Sequence, residues 1–401
     1  MTLLDIIPIW TSLASAALTF LVIYLIISRG VMRTIVDPAA ISLFQVTFTF
    51  FILALTGLLL VSDAIGFLLF LGIVFYYPPP RNPGKPFVTQ ADWVSFSKLF
   101  ALVLVVANVY LISQKGIFFM SDVVSAARQE YFQGYGTFAR INEIGIGLLV
   151  LTAALLWEQG RKIVSILAAL LAGCASLTFG NKSALLSCLF AYGAYLHFAK
   201  RKASTQSLVA AGSLLATASL GIFYLIYGQR FLAEFAYRFL AFSDGPVYFF
   251  FDKMYKYTSF SLEAPFDILL VNLRLRAAPM DVPLGPFILL NHFNVFSLQA
   301  PNPQMFVEAH AYLHQFGILW YALAAALFVW LRRVATNPYT LYFATLLAAP
   351  FLVDSSLSIS LLLTDGLLFG LLGLFLVARW ILRLPAGKLI PAHRLNRAPL
   401  N

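Results

Sequence analysis

Charge is scarce in this chain. Asp, Glu, Lys and Arg together make up 11% of its 401 residues, where soluble domains carry roughly 25%. That shortage, beside a hydrophobic share of 61%, excludes a water-soluble globule. Cysteine is nearly absent. Cys174 and Cys188 both sit inside apolar runs, so no CxxC or zinc spacing exists and neither residue reports a redox compartment. Alternating apolar segments of about ten residues, the mark of a membrane β-barrel, are missing. So are internal repeats of 20–50 residues and low-complexity linkers. The sequence also lacks a Walker motif, a dinucleotide fingerprint, a DxD-like carboxylate cluster and a polar domain large enough for a nucleotide-sugar transferase. Sugar transfer by such a chain would need a lipid-activated donor and no metal or other cofactor.

Long apolar runs are what the chain has. They reach about 17–25 residues, the length of a helix crossing about 30 Å of hydrocarbon. Spans are expected near 4–28, 40–60, 63–78, 97–114, 141–158, 163–180, 183–199, 207–227, 316–331, 338–355 and 359–381. The runs 40–78 and 339–382 are too long for one helix and are split near Asp63 and near Asp354–Ser358. The first run, Leu4 to Ile27, has no basic residue before it and no clear cleavage site after it, so it is expected to be a retained helix. The fold class is therefore all-α, a polytopic transmembrane bundle of about eleven spans. Three regions follow: a bundle over 1–227, a large polar loop over 228–315 with short interfacial helices, and C-terminal helices with a tail over 316–401.

With this count the connections alternate between two sides. One side collects 17 Lys and Arg residues against 10 on the other, which accounts for all 27. The richer side includes Arg161, Lys162, Lys200 to Lys202, Arg332 and Arg333. By the positive-inside rule it is cytoplasmic. The N-terminus and the long loop are then outside and the C-terminus inside. Most of the net charge of +10 is topological, so nucleic-acid binding is not implied.

The loop from Gly228 to Gln315 gathers the scarce ionisable groups. It holds His292, His310 and His314, and the cations Arg230, Arg238, Lys253, Lys256, Arg274 and Arg276. A membrane protein that concentrates such groups is expected to work there. Together with Arg128, Arg140 and Lys182 these cations can form an outer-side cradle for a polyanionic lipid head, since Arg donates two parallel hydrogen bonds to a phosphate. The alternative is solvated charge and local pairing. Arg230, Glu234 and Arg238 fall at i, i+4, i+8, a salt-bridge ladder, and Arg140 can pair with Glu143. Arg274 and Arg276 alternate in Asn272-Leu273-Arg274-Leu275-Arg276, so in an extended segment both point one way. Lys182 follows the turn Gly180-Asn181 and opens a helix. It can hold an anion beside backbone N–H groups or simply snorkel.

Glu308, His310 and His314 form the sharpest cluster. His310 and His314 share a helix face at i, i+4. With only His292 as a third ligand, metal binding is disfavoured. A general base is favoured, because attack by a sugar hydroxyl needs a proton acceptor nearby. Polar residues at a membrane boundary without chemistry are the alternative. Asp63, Asp354 and Asp365 are three further acids in or between apolar runs, and they make a thin case for a proton relay.

Three features carry a resemblance. One large outward loop precedes the last few spans. The outer turn reads Gly180-Asn181-Lys182-Ser183-Ala184-Leu185-Leu186. The loop exit reads Glu308-Ala309-His310-Ala311-Tyr312-Leu313-His314-Gln315-Phe316-Gly317. In these the chain resembles the lipid-linked oligosaccharide repeat-unit polymerases, the O-antigen polymerase family (Wzy type), related to the O-antigen ligases. His310 with Gly317 echoes the ligase pattern, but Ala311 stands where ligases usually have Asn. Lys182 stands where Arg is commoner. The resemblance implies a GT-C-like bundle in a bacterial inner membrane. It implies donor and acceptor glycans on undecaprenyl pyrophosphate, joined with inversion at the periplasmic face without a cofactor, and a chain-length regulator as a possible partner. It implies catalytic roles for His310, Glu308 and His314. Pyrophosphate binding would fall to Arg128, Arg140, Lys182, Arg230, Arg238, Arg274 and Arg276. A ligase-like transferase and a lipid or polysaccharide transporter are the alternatives. A transporter would show paired broken helices in two halves, and the sequence shows none.

Overall fold

The computed structural model describes residues 36–55, 61–78, 90–117, 136–179, 182–199, 305–313 and 316–354. Among these, all regular structure is helical. The helices are α1 (Pro38–Leu55), α2 (Val61–Tyr76), α3 (Gln90–Lys115), α4 (Gly136–Glu158), α5 (Lys162–Phe179), α6 (Lys182–Phe198), α7 (Met305–Leu313), α8 (Ile318–Val334) and α9 (Pro338–Asp354). They occupy eight of the eleven stretches expected as spans, the bounds shifting by up to seven residues at the start of α3. The stretches near 4–28, 207–227 and 359–381, and the loop over 228–304, lie outside the described residues.

Local chemistry sets several helix ends. α1 and α9 each begin at an Asx-Pro pair. Asp37 Oδ1 accepts the N–H groups of Ala39 (3.0 Å) and Ala40 (3.3 Å), and Pro38 supplies a helical φ at the first position. Asn337 Oδ1 accepts Thr340 N–H at 2.9 Å, and Thr340 Oγ1 accepts Asn337 N–H at 3.0 Å, a reciprocal cap. α4 stops at Gly160, whose φ of 78° is left-handed. Gly160 N–H bonds Trp157 O and Arg161 N–H bonds Leu156 O, both at 3.0 Å, the pairing of a Schellman end. Hydroxyls within the helices bond their own backbone: Thr47 donates to Leu43 O (2.7 Å), Thr152 to Leu148 O and Thr345 to Leu341 O (both 2.8 Å). An apolar bundle has no water to satisfy them otherwise.

Among the described residues, two helices are long and apolar enough to cross a membrane: Trp93–Lys115 in α3, with 23 residues, and Ile141–Glu158 in α4, with 18. The first spans about 34 Å at 1.5 Å per residue. α2, α5 and α6 hold shorter apolar stretches. Their outward faces are apolar as well. Leu102, Val106 and Val109 on α3, and Ile163, Leu167 and Leu170 on α5, are each at least 60% exposed. A soluble protein rarely exposes continuous apolar surface on this scale.

The chain divides into two compact units, each discontinuous in sequence. One contains α3 to α6 and the opening residues of α9, to Leu346. In it α4 packs against α3, α5 and α6. Leu104, Ile146, Leu149, Ala172 and Ala175 form a buried cluster, and Asn108 Nδ2 donates to Asn142 Oδ1 at 2.9 Å across α3 and α4. Trp93 stacks on Tyr339 at 5.9 Å, and Tyr339 shares a 3.2 Å hydrogen bond with Thr152.

The other unit contains α1, α2, α7 and α8. Phe50 of α1 stacks on Phe67 of α2 with centroids 4.2 Å apart. α2 and α8 run parallel, and α1 runs against both. At one end Arg332 reaches the other two helices at once. Its Nε donates to Asp37 Oδ1 at 2.9 Å, and its Nη1 donates to Tyr77 O at 3.1 Å, just past the C-terminus of α2. Arg333 lies 4.8 Å from the Tyr77 ring centroid. A cation thus satisfies an orphan carbonyl and the capping acid together. Arg332 counts as a topological charge in the sequence, yet it is 3% exposed and serves as an internal tie.

Candidate functional site

The opposite end of this unit holds the acid–imidazole cluster. Asp63 lies in the first turn of α2, where the helix dipole favours a negative charge. It shares the buried face of α2 with Gly66, Phe67, Phe70 and Val74. Asp63 is fully buried, and two side chains from other helices converge on its Oδ1. His310 Nε2 of α7 is 2.8 Å away, and the Tyr321 hydroxyl of α8 donates at 2.6 Å. Asp63 Oδ2 has no hydrogen-bond partner among the described residues.

Two glycines make this approach possible. A Cβ on Gly66 would overlap the Tyr321 ring. Gly66 follows Asp63 by three residues on the same face, so the ring lies across Gly66 and its hydroxyl reaches the acid one turn earlier. A Cβ on Gly317 would come within 3.0 Å of Ala309 O. Gly317 therefore lets α8 start directly against α7. Phe306 then meets Tyr321 edge-on at 5.4 Å, and Tyr312 lies 5.7 Å from Trp320.

Glu308, two residues before His310, is fully buried, and Trp320 Nε1 donates to its Oε2 at 3.3 Å. His310 is 6% exposed. An imidazole whose Nε2 faces a carboxylate is oriented, and its other nitrogen can exchange a proton. The cluster therefore contains an oriented imidazole, an acceptor carboxylate and a phenolic donor, the groups from which proton-transfer sites are built.

Of the residues singled out in the sequence, Glu308 and His310 are both in α7. His314, Arg128, Arg230, Arg238, Arg274 and Arg276 lie outside the described residues. Arg140 falls in α4 and Lys182 opens α6, and the side chains at both positions lie outside what is described. Among the described residues no group of three or more His, Cys, Asp or Glu is gathered as a metal site. Asp63 gains a role that its sequence context gave only weakly, as one of three scattered acids. Tyr321 carries no sequence signal, being one aromatic residue in an apolar helix. Connection alternation does assign the α1–α2 junction and the loop exit to the same side, which is a usable clue to the Asp63–His310 pairing. No family model matches this chain, and no curated protein or solved structure matches it.

Proposed function

We propose that this chain is a polytopic inner-membrane glycosyltransferase that joins lipid-linked oligosaccharide repeat units into a polysaccharide such as O-antigen. The observation that supports this reading is the partnership of His310 with a buried carboxylate. The residue expected to be the base is held by Asp63 at one end of a helical unit whose opposite end is tied by Arg332.

In this reading His310 accepts the proton of the acceptor's terminal hydroxyl. The hydroxyl oxygen forms a bond to the donor's anomeric carbon as the bond to the lipid pyrophosphate breaks, with inversion at that carbon. Pyrophosphate leaves with the bonding electron pair, and its growing charge needs cations. Arg128, Arg140, Lys182, Arg230, Arg238, Arg274 and Arg276 are the candidates, and no metal is required. About eleven spans are expected, with the N-terminus and the long loop periplasmic and the C-terminus cytoplasmic. A reporter fused at Ser204 should then read cytoplasmic and one at Ser261 periplasmic. The same reading at both sites would sink this topology.

The glycans of a deletion strain test the reaction class. Loss of a polymerase leaves single repeats on the surface acceptor. Loss of a ligase leaves long chains on the carrier lipid, and loss of a flippase leaves neither at the surface. Either of the last two patterns would replace the present reading.

A further inference from the structure

We infer that Asp63 and Tyr321 are positioning residues that lock His310 as the Nε2–H tautomer and so make Nδ1 the basic atom. This rests on the reading of His310 as the base. Hydrogen-bond bookkeeping at a single oxygen carries it. Asp63 Oδ1 meets two groups, His310 Nε2 at 2.8 Å and the Tyr321 hydroxyl at 2.6 Å. An ionised carboxylate is acceptor-only and receives both, which places the proton of His310 on Nε2. A carboxyl proton on Oδ1 would instead be donated to Nε2 while Oδ1 still accepted from Tyr321, and would leave His310 protonated on Nδ1. The inferred arrangement is the first, with Asp63 accepting from Tyr321 O–H and from His310 Nε2–H. Two local features favour Asp63 as the accepting partner: its place in the first turn of α2, and a second donor on the same oxygen.

The three residues come from three helices, and Asp63 and His310 stand 247 positions apart in sequence. Tyr321 braces the acid, since its ring is seated over Gly66 and edge-on to Phe306. The pair is thus preorganised by packing before any sugar arrives.

The tautomer can be read without turnover. The full chain, labelled with ¹⁵N-histidine and placed in nanodiscs, gives histidine nitrogen shifts, and the His310→Gln spectrum identifies the signals of His310. The expected result is a pyrrole-type Nε2 and a pyridine-type Nδ1. In Asp63→Asn, whose amide can donate to Nε2, that tautomer should be lost. Turnover on lipid-linked repeats should fall about 10²-fold, short of the full loss of a base, with KM unchanged because Asp63 is fully buried. Tyr321→Phe keeps the ring and its packing and should lower turnover about 10-fold. It also keeps the inference testable if Asp63→Asn fails to fold. A wild-type His310 protonated on Nδ1 would overturn the inference. So would an Asp63→Asn protein that keeps both the tautomer and the turnover. A wild-type protein that shows the Nε2–H tautomer but makes no polymer supports the locking by Asp63 and removes glycosyl transfer instead.

Discussion

Replacing His310 with alanine is expected to cut polymer formation by about 10²–10⁴-fold, the usual cost of losing a general base. The protein should remain inserted and folded. α7 is anchored by Phe306 against Tyr321 and by Tyr312 against Trp320, and neither contact uses His310. His310→Gln keeps a polar side chain of similar size beside Asp63 and should be equally inactive, which separates lost chemistry from lost packing. Glycan ladders on gels, with membrane protein levels matched, provide the measurement. Tyr312→Phe should be mild. If His310→Ala and Glu308→Gln both polymerise at wild-type rates, the loop-exit motif is structural. The search then moves to Arg128, Arg140 and Glu143.

The largest effect on stability is expected at the other end of the same unit. Arg332→Met removes the guanidinium from Asp37 and from the Tyr77 carbonyl while keeping an unbranched apolar side chain. Asp37 is 2% exposed. A buried charge stripped of its partner costs about 3–5 kcal/mol. The double variant Asp37→Asn with Arg332→Met removes the orphaned charge, and an Asn at position 37 still caps α1. It should recover most of the loss. Thermal or denaturant unfolding of the four proteins in one lipid system gives the cycle. Equal stability of wild type and Arg332→Met would show that the tie contributes nothing.

These two sites also show what the sequence could and could not convey. The helices at eight of the expected stretches were legible because apolar runs of the required length leave little choice of structure. The loop-exit motif was legible because Glu308, His310 and His314 stand out against an apolar background. The partners were not. Asp63 lies in a different run from His310, and periodicity carries no record of which helices touch. Tyr321 is indistinguishable in sequence from the other aromatic residues of its helix. Its hydroxyl matters only because Gly66 leaves room for its ring. Arg332 and Arg333 look like a topological pair, but Arg332 is buried on Asp37 while its neighbour lies over the Tyr77 ring. A single sequence gives charges a side. It does not say which of them the fold turns inward.

The central claim, glycosyl transfer between lipid-linked repeat units, is tested most directly with the purified chain in proteoliposomes. The only substrate supplied is an undecaprenyl-pyrophosphate-linked repeat unit, with EDTA present. The account predicts a ladder of longer lipid-linked glycans and release of undecaprenyl pyrophosphate at one per bond formed, with both lost in His310→Ala. Repeats that stay single whether or not Mg²⁺ or Mn²⁺ is supplied would contradict the claim. A ladder that appears only with added metal would contradict its metal-free chemistry.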